Sequence, residues 1–291
     1  MQVSDLYYKK YLKYKNKYLN LQSQIGGSPP FNLVLPKYHV LLPPALPLTQ
    51  RTEQKKNINI NGNIYSEDTT EINITENFND NDFLKFVRFL INIKNLKTLT
   101  LDNIQITEPR ATHLVKFLIN CKQLKTLNLS NNNMDNKGVD IIVPILNIFP
   151  NLTTLKISSN NILSNGGRTI ANFLSTNTSL TTLELSRCAI GNIGGQAIAN
   201  ALSNNQSLTT LNIEWNSIGD LTFIAFAEVL KSNSILINLN ISYSNEPRST
   251  NAYAQLANAL TINTTLQTLD IKGINLEQDI QLFEGNTRVI M

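Results

Sequence analysis

The chain repeats itself. The segments LKTLTL from Leu96, LKTLNL from Leu124, LTTLKI from Leu152, LTTLEL from Leu180, LTTLNI from Leu208, LINLNI from Leu236 and LQTLDI from Leu266 follow one template. Their starts are 28 residues apart five times and then 30 apart once. A phase kept over that length marks a repeat architecture, in which no unit buries its apolar face alone and stacking of neighbours makes the core.

Each unit holds two apolar periods. Leu99 and Leu101 alternate with Thr98 and Thr100, so the leucines share one side of a short strand and the threonines the other. A helical pattern follows: Leu114, Ile142, Ile170, Ile198 and Phe226 form one column, and Leu118, Leu146, Leu174, Leu202 and Leu230 the next. A strand and a helix per unit predict a parallel sheet backed by parallel helices. Strands stack about 4.8 Å apart and helices need about 8–10 Å, so the sheet is expected on the concave side.

These units resemble leucine-rich repeats of the long, ribonuclease-inhibitor-like class over roughly residues 68–276. The resemblance implies an α/β leucine-rich-repeat solenoid, a horseshoe with a concave parallel sheet and outer helices. In that family the position three after the last strand leucine carries Asn or Cys, whose polar group bonds the turn between repeats. Here that column reads Ile104, Asn132, Asn160, Cys188, Asn216, Ser244 and Ile274. The resemblance makes Asn132, Asn160, Cys188 and Asn216 a structural ladder, and the terminal units, where Ile replaces the polar residue, caps.

The organisation expected is a tail over 1–27, a Pro-rich linker over 28–55, and an N-terminal cap with a degenerate repeat over 56–95. Seven repeats over 96–276 and a C-terminal cap over 277–291 complete it. In the first cap, Asn61-Gly62 predicts a hairpin. Ile72 and Ile74 imitate a repeat strand, and Phe83, Phe86, Val87 and Leu90 its helix. Pro144 is expected to shorten its helix. The two extra residues of the long unit are expected at SNEPRS, 244–249.

The tail, DLYYKKYLKYKNKYLNLQSQIGG, places Tyr7, Tyr11, Tyr14 and Tyr18 on one helical stripe among Lys10, Lys13 and Lys17. It reads as a basic amphipathic segment for an anionic surface or a partner groove. It resembles a Tyr/Lys-rich stretch ending in Gly-Gly in proteins of mimivirus-like giant DNA viruses. Residues 1–27 carry five lysines against Asp5, and the remaining chain balances 20 basic with 20 acidic residues. A neutral body gives the repeats no electrostatic case for nucleic acid. Lys and Tyr stand where a secretory signal's apolar stretch would, so none is expected, and no apolar run is long enough to predict a membrane-spanning helix. The expected location is host cytoplasm or virion, and the N-x-S/T triplets at Asn73, Asn151, Asn177 and Asn263 read as chance matches.

Enzyme signals are thin. Gly191-x-x-Gly194-Gly195, after a strand and before a helix, has the outline of a phosphate cradle. Glycines recur at the same columns, however: Gly219 with Gly191, Gly138 and Gly166 with Gly194, and Gly167 with Gly195. No Lys follows, so a tight turn before each helix is the expected reason for them. Two histidines, His39 and His113, and two thiols, Cys121 and Cys188, supply no metal spacing. No cofactor or metal is expected.

Function is expected on the strand side. The outward columns there are polar and nearly neutral, including Glu184 and Glu214. The next column reads Asn103, Asn131, Ser159, Arg187, Trp215, Tyr243 and Gly273. Arg, Trp and Tyr are the types that dominate interface energies. Arg187, Trp215 and Tyr243 are therefore the candidate protein-binding patch, with Glu184 and Glu214 setting its polarity. The reading is a non-enzymatic interaction scaffold for a protein partner. The alternatives are a virion-associated protein targeted by its tail, and a GTPase regulator resembling the Ran GTPase-activating protein. That family carries an acidic C-terminal tail, which EQDIQLFEGNTRVIM is not.

Overall fold

The computed structural model describes residues 57–60, 62–76, 79–244, 249–273 and 281–291. The chain divides into two units, 1–53 and 54–291, and every described residue belongs to the second. The tail with its Tyr7, Tyr11, Tyr14, Tyr18, Lys10, Lys13 and Lys17, the Pro-rich linker, Asn61, 245–248 and Ile274 lie outside the described residues.

The second unit opens with a hairpin, β1 (Ile58–Ile60) and β2 (Asn63–Tyr65), paired antiparallel. Strand and helix then alternate. They run β3 (Glu71–Ile74), α1 (Asp80–Phe89), β4 (Thr98–Leu101), α2 (Glu108–Leu118), β5 (Thr126–Asn128) and α3 (Asn136–Ile142). Next come β6 (Thr154–Lys156), α4 (Leu163–Leu174), β7 (Thr182–Glu184), α5 (Gly191–Ala201), β8 (Thr210–Asn212) and α6 (Asp220–Leu230). Last are β9 (Asn238–Asn240), α7 (Thr250–Ile262), β10 (Thr268–Asp270) and β11 (Val289–Ile290). β3 to β11 form one parallel sheet of nine strands in chain order.

Register is what turns sequence columns into spatial ones. Thr98 pairs with Thr126, and the line continues through Thr154, Thr182, Thr210, Asn238 and Thr268 without a slip. A one-residue slip would turn every buried leucine outward. The 30-residue unit keeps this register: β9 starts 28 residues after β8, whereas α7 starts 30 after α6. Its two extra residues therefore sit between β9 and α7.

The core is continuous. The central strand leucines Leu99, Leu127, Leu155, Leu183, Leu211, Leu239 and Leu269 are buried, as are both helix columns. Each such side chain contributes about 1.5–3 kcal/mol when removed from water. At the first end, Phe83, Phe86 and Val87 of α1 lie under the same cover, and the Tyr65 hydroxyl donates to the Asn73 carbonyl at 3.0 Å. α3 stops at Ile142 and the chain continues as a 3-10 turn over 143–148, because Pro144 has no N–H for the α-helical bond.

The glycine columns have a different cause from the turn expected. Gly138, Gly166, Gly167, Gly194 and Gly195 lie inside α3, α4 and α5 and are buried. A Cβ on Gly167 would stand 2.8 Å from the Gly194 Cα, which is closer than side chains are found. The helices approach where the side chains vanish. Only Gly191 in these columns takes a left-handed φ, +59°.

Candidate functional site

Where each strand from β4 to β10 leaves the sheet, the chain turns through a left-handed residue. Asn103, Asn131, Ser159, Arg187, Trp215, Tyr243 and Gly273 have φ of 57°, 56°, 55°, 55°, 56°, 50° and 89°. Asn and Gly suit that region, while a bulky side chain there costs roughly 1–2 kcal/mol. The backbone bonds between units hold the turn: the amides of Arg187, Trp215 and Tyr243 donate to the carbonyls of Glu214, Ser242 and Lys272 at 3.0, 3.1 and 2.8 Å. These bonds set three large side chains at conformationally costly positions in consecutive units.

The three side chains meet. The rings of Trp215 and Tyr243 are stacked, with centroids 4.9 Å apart and planes 9° from parallel. The Arg187 guanidinium carbon lies 5.2 Å from the Trp215 ring centroid. Trp215 is 40% exposed and Tyr243 38%. Among the described residues, no carboxylate pairs with Arg187, and the indole N–H and phenol O–H make no hydrogen bond. Gly273 adds no side chain beyond Tyr243, and its Cα region packs on the Tyr243 backbone and ring.

Glu184 and Glu214 sit on the half-exposed face of the strands rather than in the stack. Glu214 accepts from Asn240 Nδ2 at 3.1 Å, and Glu184 faces Lys156 and Asn212 in the strand register. Asp270 holds Lys272 at 3.1 Å, and that hydrogen bond, then the attraction of the carboxylate, raises the lysine's pKa. Asn128, Asn212, Asn240 and Asp270 each accept from the amide two residues on at 3.0–3.1 Å. That column caps its own strand ends, a use that strand alternation does not reveal.

Asn132 donates to the Leu101 and Ser130 carbonyls at 2.6 and 2.9 Å and accepts from the Ile104 amide at 2.8 Å. Asn160 bonds the Leu129 and Ile157 carbonyls and the Asn132 and Met134 amides. Asn216 bonds the Leu185 and Ile213 carbonyls and the Cys188 and Ile190 amides. Cys188 fills the position with a thiol 3.2 Å from the Ile157 carbonyl. Burial pushes the Cys121 and Cys188 thiols up to about 12, far from the ionisation a nucleophile needs.

A second ladder was missed in the sequence. Asn177, Asn205, Asn233 and Asn263 are buried at the helix-to-strand turns. Each accepts from the amides two and three residues on, and the amide nitrogens of Asn205, Asn233 and Asn263 reach back to the carbonyls of Leu174, Leu202 and Leu230 at 2.7–2.8 Å. Arg288 ends it, donating to the Leu260 and Asn263 carbonyls at 2.5 and 2.7 Å. The signal was available: an Asn three residues before Leu180, Leu208, Leu236 and Leu266. Three of these asparagines, Asn177, Asn205 and Asn263, head glycosylation triplets, and all three side chains are buried and bonded to backbone.

The glycine-rich turn has no open cradle. The Gly191 amide donates to the Asn216 carbonyl at 3.0 Å and the Gly194 amide to Ile190 at 3.2 Å. His113 Nδ1 lies 2.7 Å from the Pro109 carbonyl. Among the described residues no cluster of His, Cys, Asp and Glu could hold a metal ion, and no helix is long and apolar enough to cross a membrane.

A family model described as "Leucine Rich repeat" matches residues 120–142, 150–171, 176–199 and 204–222. The described unit is a leucine-rich-repeat solenoid. Among solved structures, the solenoid is similar to the actin-binding site 2 of leiomodin-1, at 19% identity over 60% of this chain and 82% of that one, with a TM-score of 0.39. It is also similar to the C-terminal domain of tropomodulin from Caenorhabditis elegans, at 16% identity over 49% and 85%, with a TM-score of 0.42. No curated protein sequence matches the chain.

Proposed function

We propose that the chain is a non-enzymatic protein-interaction scaffold that binds a protein partner on the strand side of its solenoid, at the rim formed by Arg187, Trp215 and Tyr243. The observation that carries this reading is the stack itself. Three side chains of the types that anchor interfaces are half-exposed and prearranged at left-handed positions, and their donors have no partners among the described residues. Prearrangement lowers the ordering cost of binding. Glu184 and Glu214 border the patch along the strands. The test is quantitative capture from cells that make the protein, comparing wild type with an Arg187, Trp215 and Tyr243 triple-alanine variant whose melting curve is unchanged. Loss of specific proteins in the variant supports the rim, and an identical captured set overturns it.

A second reading rests on the charge asymmetry. The net +4 resides in residues 1–27, and the Tyr/Lys-rich Gly-Gly stretch resembles segments of giant-virus proteins. On that reading the tail places a virion-associated solenoid on an anionic surface. A fusion of residues 1–27 to a fluorescent reporter distinguishes the two: localisation with the virion by the tail alone favours the second, and a diffuse reporter removes it.

A further inference from the structure

We infer that the rim stack recognises a peptide segment that presents one carboxylate beside an aromatic or aliphatic side chain. This inference rests on the reading of the rim as the working surface and adds the chemistry of what sits there. The charge pattern is the argument. Nearby, Asp270 holds Lys272 and Glu214 accepts from Asn240, while Glu184 shares a strand register with Lys156 and Asn212 and makes no ion pair among the described residues. Arg187 has no carboxylate among the described residues. Its guanidinium carbon stands 5.2 Å from the Trp215 ring centroid, and its N–H groups, without a carboxylate among the described residues, suit a two-pronged bond to one.

The rest of the stack sets what accompanies that carboxylate. The Trp215 indole N–H and Tyr243 hydroxyl add donors next to two parallel ring edges. A flat or aliphatic group packs on such edges, and a neighbouring acceptor takes the donors. A polyanion is disfavoured, because Glu184 lies on β7, Asp270 on β10 and Glu214 just past β8, and the chain after residue 27 has no net charge.

The test pans a phage-displayed random dodecapeptide library on the full-length protein after counterselection on the full-length Arg187, Trp215 and Tyr243 triple-alanine variant. Both proteins carry the lysine-rich tail, so the counterselection removes peptides held by it. A recovered peptide, made synthetically, is then titrated against Trp215 fluorescence, which reports on the stack alone because the chain has a single tryptophan. The expected result is enrichment of Asp or Glu beside aromatic or aliphatic residues, and binding about tenfold or more weaker in Arg187→Ala. Arg187→Glu is expected to restore affinity for the same peptide with its acid changed to Lys.

Peptides that need Trp215 but show no acidic preference, or no loss in Arg187→Ala, overturn the carboxylate and leave the rim standing. Displacement of the peptide by heparin with heparin itself bound at the stack overturns it in favour of a polyanion. Recovery of no peptide, or of peptides bound equally by the triple variant, counts against the rim reading as well.

Discussion

Gly167 of α4 and Gly194 of α5 touch through their backbones, a Cβ on the first falling 2.8 Å from the Cα of the second. Nothing flexible stands between them to yield. Gly167→Ala is therefore expected to force the helices apart and cost about 1–3 kcal/mol. Gly191→Ala meets only the Ser164 hydroxyl at 3.4 Å and pays mainly for its left-handed φ, about 1 kcal/mol. Urea denaturation of both variants checks the order, and equal stabilities would show that the helix seam absorbs a methyl group.

Trp215 offers a way to delete a rim side chain without loosening the fold. Alanine and glycine both lose the ring stack, but alanine also retains the cost of φ at +56°, which glycine does not pay. Trp215→Gly is expected to be more stable than Trp215→Ala by about 1 kcal/mol. Thermal melts of the two variants decide it, and the reverse order would mean that the turn relaxes when the indole is removed.

Asn216 accepts from the Cys188 and Ile190 amides and donates to the Leu185 and Ile213 carbonyls, with its side chain fully buried. Asn216→Ala strips those amides of their acceptor in a place without room for solvent, and the expected loss is about 2–4 kcal/mol. Asn200→Ala, exposed within α5, is expected to change stability by about 0.5 kcal/mol or less. Chemical denaturation midpoints compare the pair.

The two thiols should make stability fall in alkali. Burial raises both from 9.0 to about 12, so the unfolded chain ionises first and the folded chain holds more protons between those values. Their contribution is complete below about pH 9 and is lost as the pH rises toward 12. Urea midpoints between pH 8 and 11 should fall more steeply for wild type than for a Cys121→Ala, Cys188→Ala double variant. A thiol reagent at pH 8 should label the native protein only as fast as it opens, and immediate labelling of either cysteine would contradict its burial.

Arg288 closes the second ladder by reaching the Leu260 and Asn263 carbonyls. Arg288→Ala should release β11 and leave the Leu269 and Ile271 amides, which donate to Arg288 and Ile290, open to solvent. Hydrogen exchange at those two amides is expected to accelerate about tenfold or more while that at Leu155 stays unchanged. Arg288→Lys should not restore protection, because an ammonium lacks the fork that spans two carbonyls.

The period and the apolar columns were legible from the chain alone, because each unit makes its contacts with its neighbours and spacing along the sequence becomes spacing in space. A fixed register made the line from Thr98 to Thr268 a line of neighbours, and with it the adjacency of Arg187, Trp215 and Tyr243. Polar side chains were harder to place. An asparagine's hydrogen bonds depend on which backbone groups the next unit leaves unpaired, so the Asn column before Leu180, Leu208, Leu236 and Leu266 shows in the spacing while the ladder it builds does not. The glycines were misread for the same reason: a missing side chain in one helix is explained only by the backbone of another. Sequence alone settled which residues stack in columns and which apolar faces meet. Tertiary structure decided how close the helices come, where the left-handed turns aim the rim side chains, and which donors stay without partners, because each of these depends on atoms from two units at once.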